Sequence, residues 1–114
     1  MSGALRQWDI IKVRIHAQDR DEHPAIILSP NEIVLGRADR VNVLYGSTKR
    51  PGIGILPGQI LLDEADGCEH LTVFDCAFFP VVRKSAITTK LGAVSPGRRR
   101  KLHQTLAAAL RLFQ

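Results

Sequence analysis

The chain has 114 residues, 45% of them hydrophobic and 24% charged, with a formal net charge of +5. That length suits one domain spanning 1–114 and excludes two, and the composition is that of an ordinary globular protein rather than a disordered chain. No stretch approaches the roughly 18 apolar residues of a membrane span, and the first residues lead into Arg6 and Trp8 without a signal-peptide core, so the expectation is a protein neither exported nor membrane-spanning.

Cys68 and Cys76 show neither metal-ligand spacing nor a disulfide framework, which points to a reduced, cytoplasmic setting. The charge is unevenly placed. Residues 1–82 carry 8 basic and 11 acidic side chains, whereas residues 83–114 carry 8 basic and none acidic. Such a one-signed segment, with Arg83, Lys84, Lys90, Arg98, Arg99, Arg100 and Lys101, suits a polyanion or an acidic protein partner; the competing reading is a solvated surface that only keeps the protein soluble.

Taken in order, Trp8 to Ile15 places Ile11, Val13 and Ile15 on one face against Lys12 and Arg14, which predicts a half-buried strand. A polar loop from His16 to His23 follows. Pro24-Ala25-Ile26-Ile27-Leu28-Ser29 is an apolar run closed by prolines, too short for a helix, and predicts a central strand of about five or six residues covered on both faces. Asn31 to Gly36 is left open between a helical turn and an irregular crossing. Arg40 to Gly46 is β-rich and is expected to halt at Gly46, with Ser47-Thr48-Lys49-Arg50 as a turn.

Pro51 to Gly58 is dense in turn signals, so the next strand is expected from Gln59 through Leu62. Leu71 to Phe74, extended through Phe79, and Ser85 to Leu91 are the remaining strand candidates, divided by Pro80. A C-terminal helix starts with Ser95 as N-cap and Pro96 at its first position, and Leu102, Leu106, Ala109, Leu110 and Phe113 form its apolar stripe. Short strands followed by one amphipathic helix predict a mainly β fold, a small barrel or strongly bent sheet with the helix packed on it.

Four stretches, in this order, resemble the MazF/PemK family of toxin endoribonucleases: Trp8-Asp9-Ile10-Ile11-Lys12-Val13, Pro24-Ala25-Ile26-Ile27-Leu28-Ser29, Val41-Asn42-Val43-Leu44-Tyr45-Gly46-Ser47-Thr48, and Leu91-Gly92-Ala93-Val94-Ser95-Pro96 with the helix after it. The resemblance implies the SH3-like barrel shared with CcdB. It also implies metal-independent cleavage of single-stranded RNA by a type II toxin-antitoxin toxin without a cofactor, a homodimer, and an acidic antitoxin protein competing for the RNA groove.

By position, the resemblance puts the family's basic catalytic residue on His23 and its hydroxyl on Thr48, with Ser47 beside it. The family usually has arginine before that proline, a planar fork able to hold phosphate through two bonds. Histidine instead has an unperturbed pKa of about 6.5, suited to moving the proton of a ribose 2′-hydroxyl. His16, Arg20, Ser47, Lys49, Arg50 and Asp75 are the candidate RNA-binding residues, each with an ordinary loop or turn role as the alternative. Trp8 and Tyr45 are open between base stacking and packing, and Cys68, His70 and Cys76 lack the spacing of a zinc set. A second reading is a barrel that has lost catalysis and binds RNA or protein; a third is a CcdB-like topoisomerase poison.

Overall fold

The computed structural model describes residues 4–14, 18 and 20–112. Its elements are β1 (Asp9–Val13), β2 (His23–Ile27), α1 (Asn31–Val34), β3 (Arg40–Thr48), β4 (Gln59–Leu62), β5 (Thr72–Asp75), β6 (Val81–Arg83), β7 (Ile87–Ala93) and α2 (Pro96–Ala109), with short 3-10 turns at Glu64–Asp66 and Lys84–Ala86. The sheet order is β4-β5-β3-β2-β1-β7, all neighbours antiparallel, with β6 paired to β3. No helix among the described residues is long and apolar enough to cross a membrane.

β2 lies in the middle, as its Ile-Ile run predicts. Ala25 and Ile27 point into one cluster with Ile11, Val13, Val41, Val43 and Val82, while Ile26 points into the other with Ile10, Leu44, Phe74, Val94 and Leu102. Covering both faces is what lets three successive apolar residues be buried in an extended chain. β1 keeps the expected alternation, with Ile11 and Val13 fully buried, Lys12 half-buried and Arg14 exposed just beyond the strand, while Ile10 on the Lys12 face is also fully buried and Ile15 lies outside the described residues.

The expected stop at Gly46 is not observed. β3 runs on to Thr48 because a Cβ at position 46 would lie 2.7 Å from the Phe74 ring and the Thr72 methyl, and its absence lets β5 pack against β3. Ser47 and Thr48 are thus strand residues paired with Val73 and Thr72, not a turn. The expected strand from Leu71 is confined to β5; it ends at Asp75, whose carboxylate accepts the Ala77 N–H and turns the chain. β6 is a separate three-residue strand, and β7 starts after a 3-10 turn, two residues later than expected. The open segment after Pro30 forms the one-turn helix α1.

α2 starts after Ser95 with Pro96 in its first turn, although the Ser95 side chain makes no cap bond. Its start is fixed from outside: Asp66 accepts the Ser95 N–H at 3.1 Å and pairs with Arg98 at 2.9 Å. Leu102, Leu106 and Ala109 pack on the core, whereas Leu110 is exposed at the helix end and Phe113 lies outside the described residues. Trp8, held at a positive φ of 74°, hydrogen-bonds to Ile27 and Val94 through its backbone and packs at a tilt of 51° against His103, its ring centre 4.9 Å away.

Candidate active site

The start of β2 and the end of β3 come together at one rim of the sheet. In the β1–β2 ladder Lys12 faces Pro24 and Val13 faces His23; in the β2–β3 ladder Ala25 faces Tyr45 and Ile26 faces Leu44. Because strand side chains alternate, His23 shares a face with Val13, Ala25, Tyr45 and Ser47. Thr48 shares the other face with Lys12, Pro24 and, across the β3–β5 ladder, Thr72. The two residues paired by the resemblance therefore point to opposite sides of the strand pair. The β2–β3 ladder ends at the Ala25–Tyr45 pair and so pairs neither Ser47 nor Thr48 with His23; of the two hydroxyl residues, Ser47 is the one on the His23 face.

Thr48 lines a cleft of about 360 Å³ with Lys12, Arg14, Arg20, Asp21, Glu22, Pro24, Glu69, His70, Thr72 and Leu91. Lys12 Nζ lies 2.8 Å from Glu69, and an Arg14 guanidinium nitrogen lies 3.8 Å from Glu22. The Glu69 hydrogen bond raises the Lys12 pKa against the opposing effect of burial, and the same bond lowers that of Glu69, so both are charged near neutrality. Round the end of β3, Thr48 also lines a shallower groove of about 170 Å³ with Ser47, Lys49, Arg50, Ile53, Gly54, Gln59 and Val73.

Of the candidate residues, Arg20 and Thr48 thus meet in the cleft, and Ser47, Lys49 and Arg50 meet in the adjoining groove. Lys49 is also structural: its N–H donates to the Leu71 carbonyl and its ammonium to the Arg50 carbonyl. Asp75 lines neither the cleft nor that groove, and its carboxylate forms a turn. His16 lies outside the described residues. Tyr45 is half-buried beside Phe78, with ring centres 6.3 Å apart.

Much of the basic final third holds the fold together. Lys84 donates to the Ile33 and Gly36 carbonyls, Lys90 pairs with Asp9, Arg98 with Asp63 and Asp66, and Arg99 donates to the Val94 carbonyl. Cys68 and Cys76 are free and buried in the core, and no group of three His, Cys, Asp or Glu among the described residues is placed to hold a metal ion.

No protein-family model matches the chain, and no curated protein matches it by sequence. Solved structures do match. One, an endoribonuclease in complex with its cognate antitoxin from a mycobacterial species, superposes with a TM-score of 0.79 at 19% identity over 97% of this chain and 99% of that one. The chain has the MazF fold. The Mycobacterium tuberculosis toxin MazF-mt6 matches with a TM-score of 0.73 at 16% identity, over 90% of this chain and 96% of that chain. A chain of a MazE-MazF structure from Deinococcus radiodurans matches with a TM-score of 0.72 at 11% identity, over 96% of this chain and 97% of that one.

Within that MazF fold, Arg20 and Thr48 are the only cleft-lining residues that sequence reasoning assigned to the site; Lys12, Glu69 and His70 are among those it did not. Only Lys12 left a trace: a lysine set among isoleucines and valine in a strand buried on both sides. Glu69 and His70 belong to the turn before β5 and reach the cleft through the β3–β5 pairing.

Proposed function

We propose that this protein is a MazF-type endoribonuclease toxin that cleaves single-stranded RNA without a metal ion, by attack of a ribose 2′-oxygen on the adjacent phosphorus. In that step the P–O5′ bond breaks, leaving a 2′,3′-cyclic phosphate and a 5′-hydroxyl; one proton leaves the 2′-hydroxyl and one joins the departing oxygen. His23 supplies proton transfer, with the Ser47 hydroxyl on the same face of the sheet. Thr48 and Arg20 in the cleft, with Lys49 and Arg50 beside it, hold the backbone that passes over the rim.

The observation that carries this reading is the end-to-end match to a protein named as an endoribonuclease, at 97% coverage; Thr48 and Arg20 share the cleft at one rim of the sheet, and His23 and Ser47 lie at the same rim on the other face. An acidic antitoxin as partner is supported by the same match, since that endoribonuclease was solved with its antitoxin. A homodimer and a cytoplasmic setting follow from the same reading.

The test is incubation of purified protein with a long unstructured RNA in excess chelator. Discrete fragments from the wild type, lost in His23→Ala, support the reading. Intact RNA that still shifts in a salt-dependent binding assay favours the binding-module alternative.

A further inference from the structure

Lys12 is the one charged side chain on its face of β1, opposite the buried Ile11 and Val13 and two residues along from the buried Ile10. Its neighbours Ile10, Ile11 and Val13 are fully buried, yet Lys12 projects beside Pro24 of β2 and Thr89 of β7 on the face that carries Thr48. Its ammonium meets the Glu69 carboxylate in the wall of the cleft. We propose that the cleft is an anion subsite in which Lys12 holds a phosphodiester of the RNA backbone, and that Glu69 is an internal carboxylate which that phosphate displaces. The choice of RNA as the source of the phosphate rests on the function proposed above.

Stability is a weak account of this pair. The Lys12 side chain is 25% exposed and that of Glu69 is 53% exposed, and ion pairs so open to water contribute little to folding. Binding accounts for it better. Glu69 holds the ammonium, on its flexible stem, within the cleft that Thr48 and Arg20 also line, and keeps it charged. Both flanks of the Glu69 turn are anchored, by the Cys68 N–H on the Asp63 carbonyl and the Lys49 N–H on the Leu71 carbonyl. The Glu69 side chain can therefore swing out without the backbone moving.

The charge inventory fits a displacement. Lys12, Arg14 and Arg20 face Asp21, Glu22 and Glu69, so the closed cleft is balanced and attracts an anion only as an ion pair opens. Exchange of one carboxylate for one phosphate keeps the balance and adds a ligand that bridges Lys12 to Thr48 and Arg20. Glu69 thereby sets a threshold: an isolated anion competes poorly, whereas a phosphate tethered within a bound RNA strand competes at high effective concentration.

The experiment is a four-protein cycle of wild type, Lys12→Gln, Glu69→Gln and the double variant, with Lys12→Arg as a fifth. Affinity for a 2′-deoxy-substituted, uncleavable oligonucleotide is measured over a salt series, and thermal melts check folding. The expected result is about tenfold weaker binding for Lys12→Gln, a salt slope lower by about one, and recovery in Lys12→Arg. Glu69→Gln tightens binding only where Lys12 is present. Equal affinity in Lys12→Gln, or the same tightening by Glu69→Gln without Lys12, overturns the proposal, because the carboxylate then acts only through the general field.

If the wild type binds no RNA, the ribonuclease reading fails, and titration of the same proteins with inorganic phosphate decides the subsite. Amide shifts at Thr48 in Glu69→Gln, where the competing carboxylate is gone, that vanish in the double variant support an anion site of another origin; no shifts in Glu69→Gln overturn it.

Discussion

Ser47 lies on the same face as His23 by the alternation of side chains along β2 and β3, and Thr48 lies on the other face with Thr72. Removal of each hydroxyl therefore has a different consequence. Ser47→Ala, like His23→Ala, is expected to lower kcat for RNA cleavage, by about 10²-fold or more for the histidine if it transfers the proton. Initial rates at saturating RNA check this; a Ser47→Ala enzyme with wild-type kcat places the working hydroxyl elsewhere.

Thr48 and Arg20 share the cleft and not the His23 face. Thr48→Val and Arg20→Gln are expected to raise KM by about tenfold with kcat little changed, the pattern of an interaction made equally in ground and transition states. Steady-state kinetics with one oligonucleotide separate the two parameters. A fall in kcat at constant KM contradicts a holding role.

The helix α2 is docked by a carboxylate. Asp66 is buried, accepts the Ser95 N–H and faces Arg98 at 2.9 Å, while a Cβ on Gly92 would come within van der Waals overlap of the Asp66 carbonyl. Arg98→Met leaves that carboxylate without its cation and is expected to cost about 2 kcal/mol, below the range for fully buried pairs because the arginine is partly exposed. Gly92→Ala is expected to cost about 1–3 kcal/mol through overpacking. Chemical denaturation measures both, and unchanged midpoints refute the docking role.

Burial pushes the Cys76 thiol up from its ordinary value of 9.0 to about 11. The unfolded chain then loses this proton before the folded one does. The contribution to stability is full below pH 9 and is lost as pH rises toward 11, by an amount on the order of 2–3 kcal/mol. Thermal melts between pH 8 and 11 should fall with this slope, and Cys76→Ala should flatten it. The native thiol should also react slowly with alkylating reagents below pH 9.

The fold was legible where burial is written in consecutive residues. The Ile26-Ile27 run marked the central strand, and Pro96 with Leu102 and Leu106 marked the helix. Boundaries were lost where a long-range contact decides them. Gly46 reads locally as a stop, yet it is the space that Phe74 fills, and Val81–Arg83 becomes a strand only because β3 offers Arg40–Asn42 as its partner. The site was partly legible for the same reason. Motif order singled out His23, Ser47, Thr48 and Arg20, but which face the strand residues take depends on register, and Glu69 and His70 reach the cleft through a strand pairing that no local pattern announces.

The most direct test of the account is the chemistry of the ends left on RNA. Mass spectrometry of an oligoribonucleotide treated with the wild type in excess chelator should give 2′,3′-cyclic phosphate and 5′-hydroxyl termini, absent with His23→Ala. RNA left intact by the wild type, or fragments bearing 5′-phosphates, would contradict attack by the ribose oxygen and with it the function assigned to this rim.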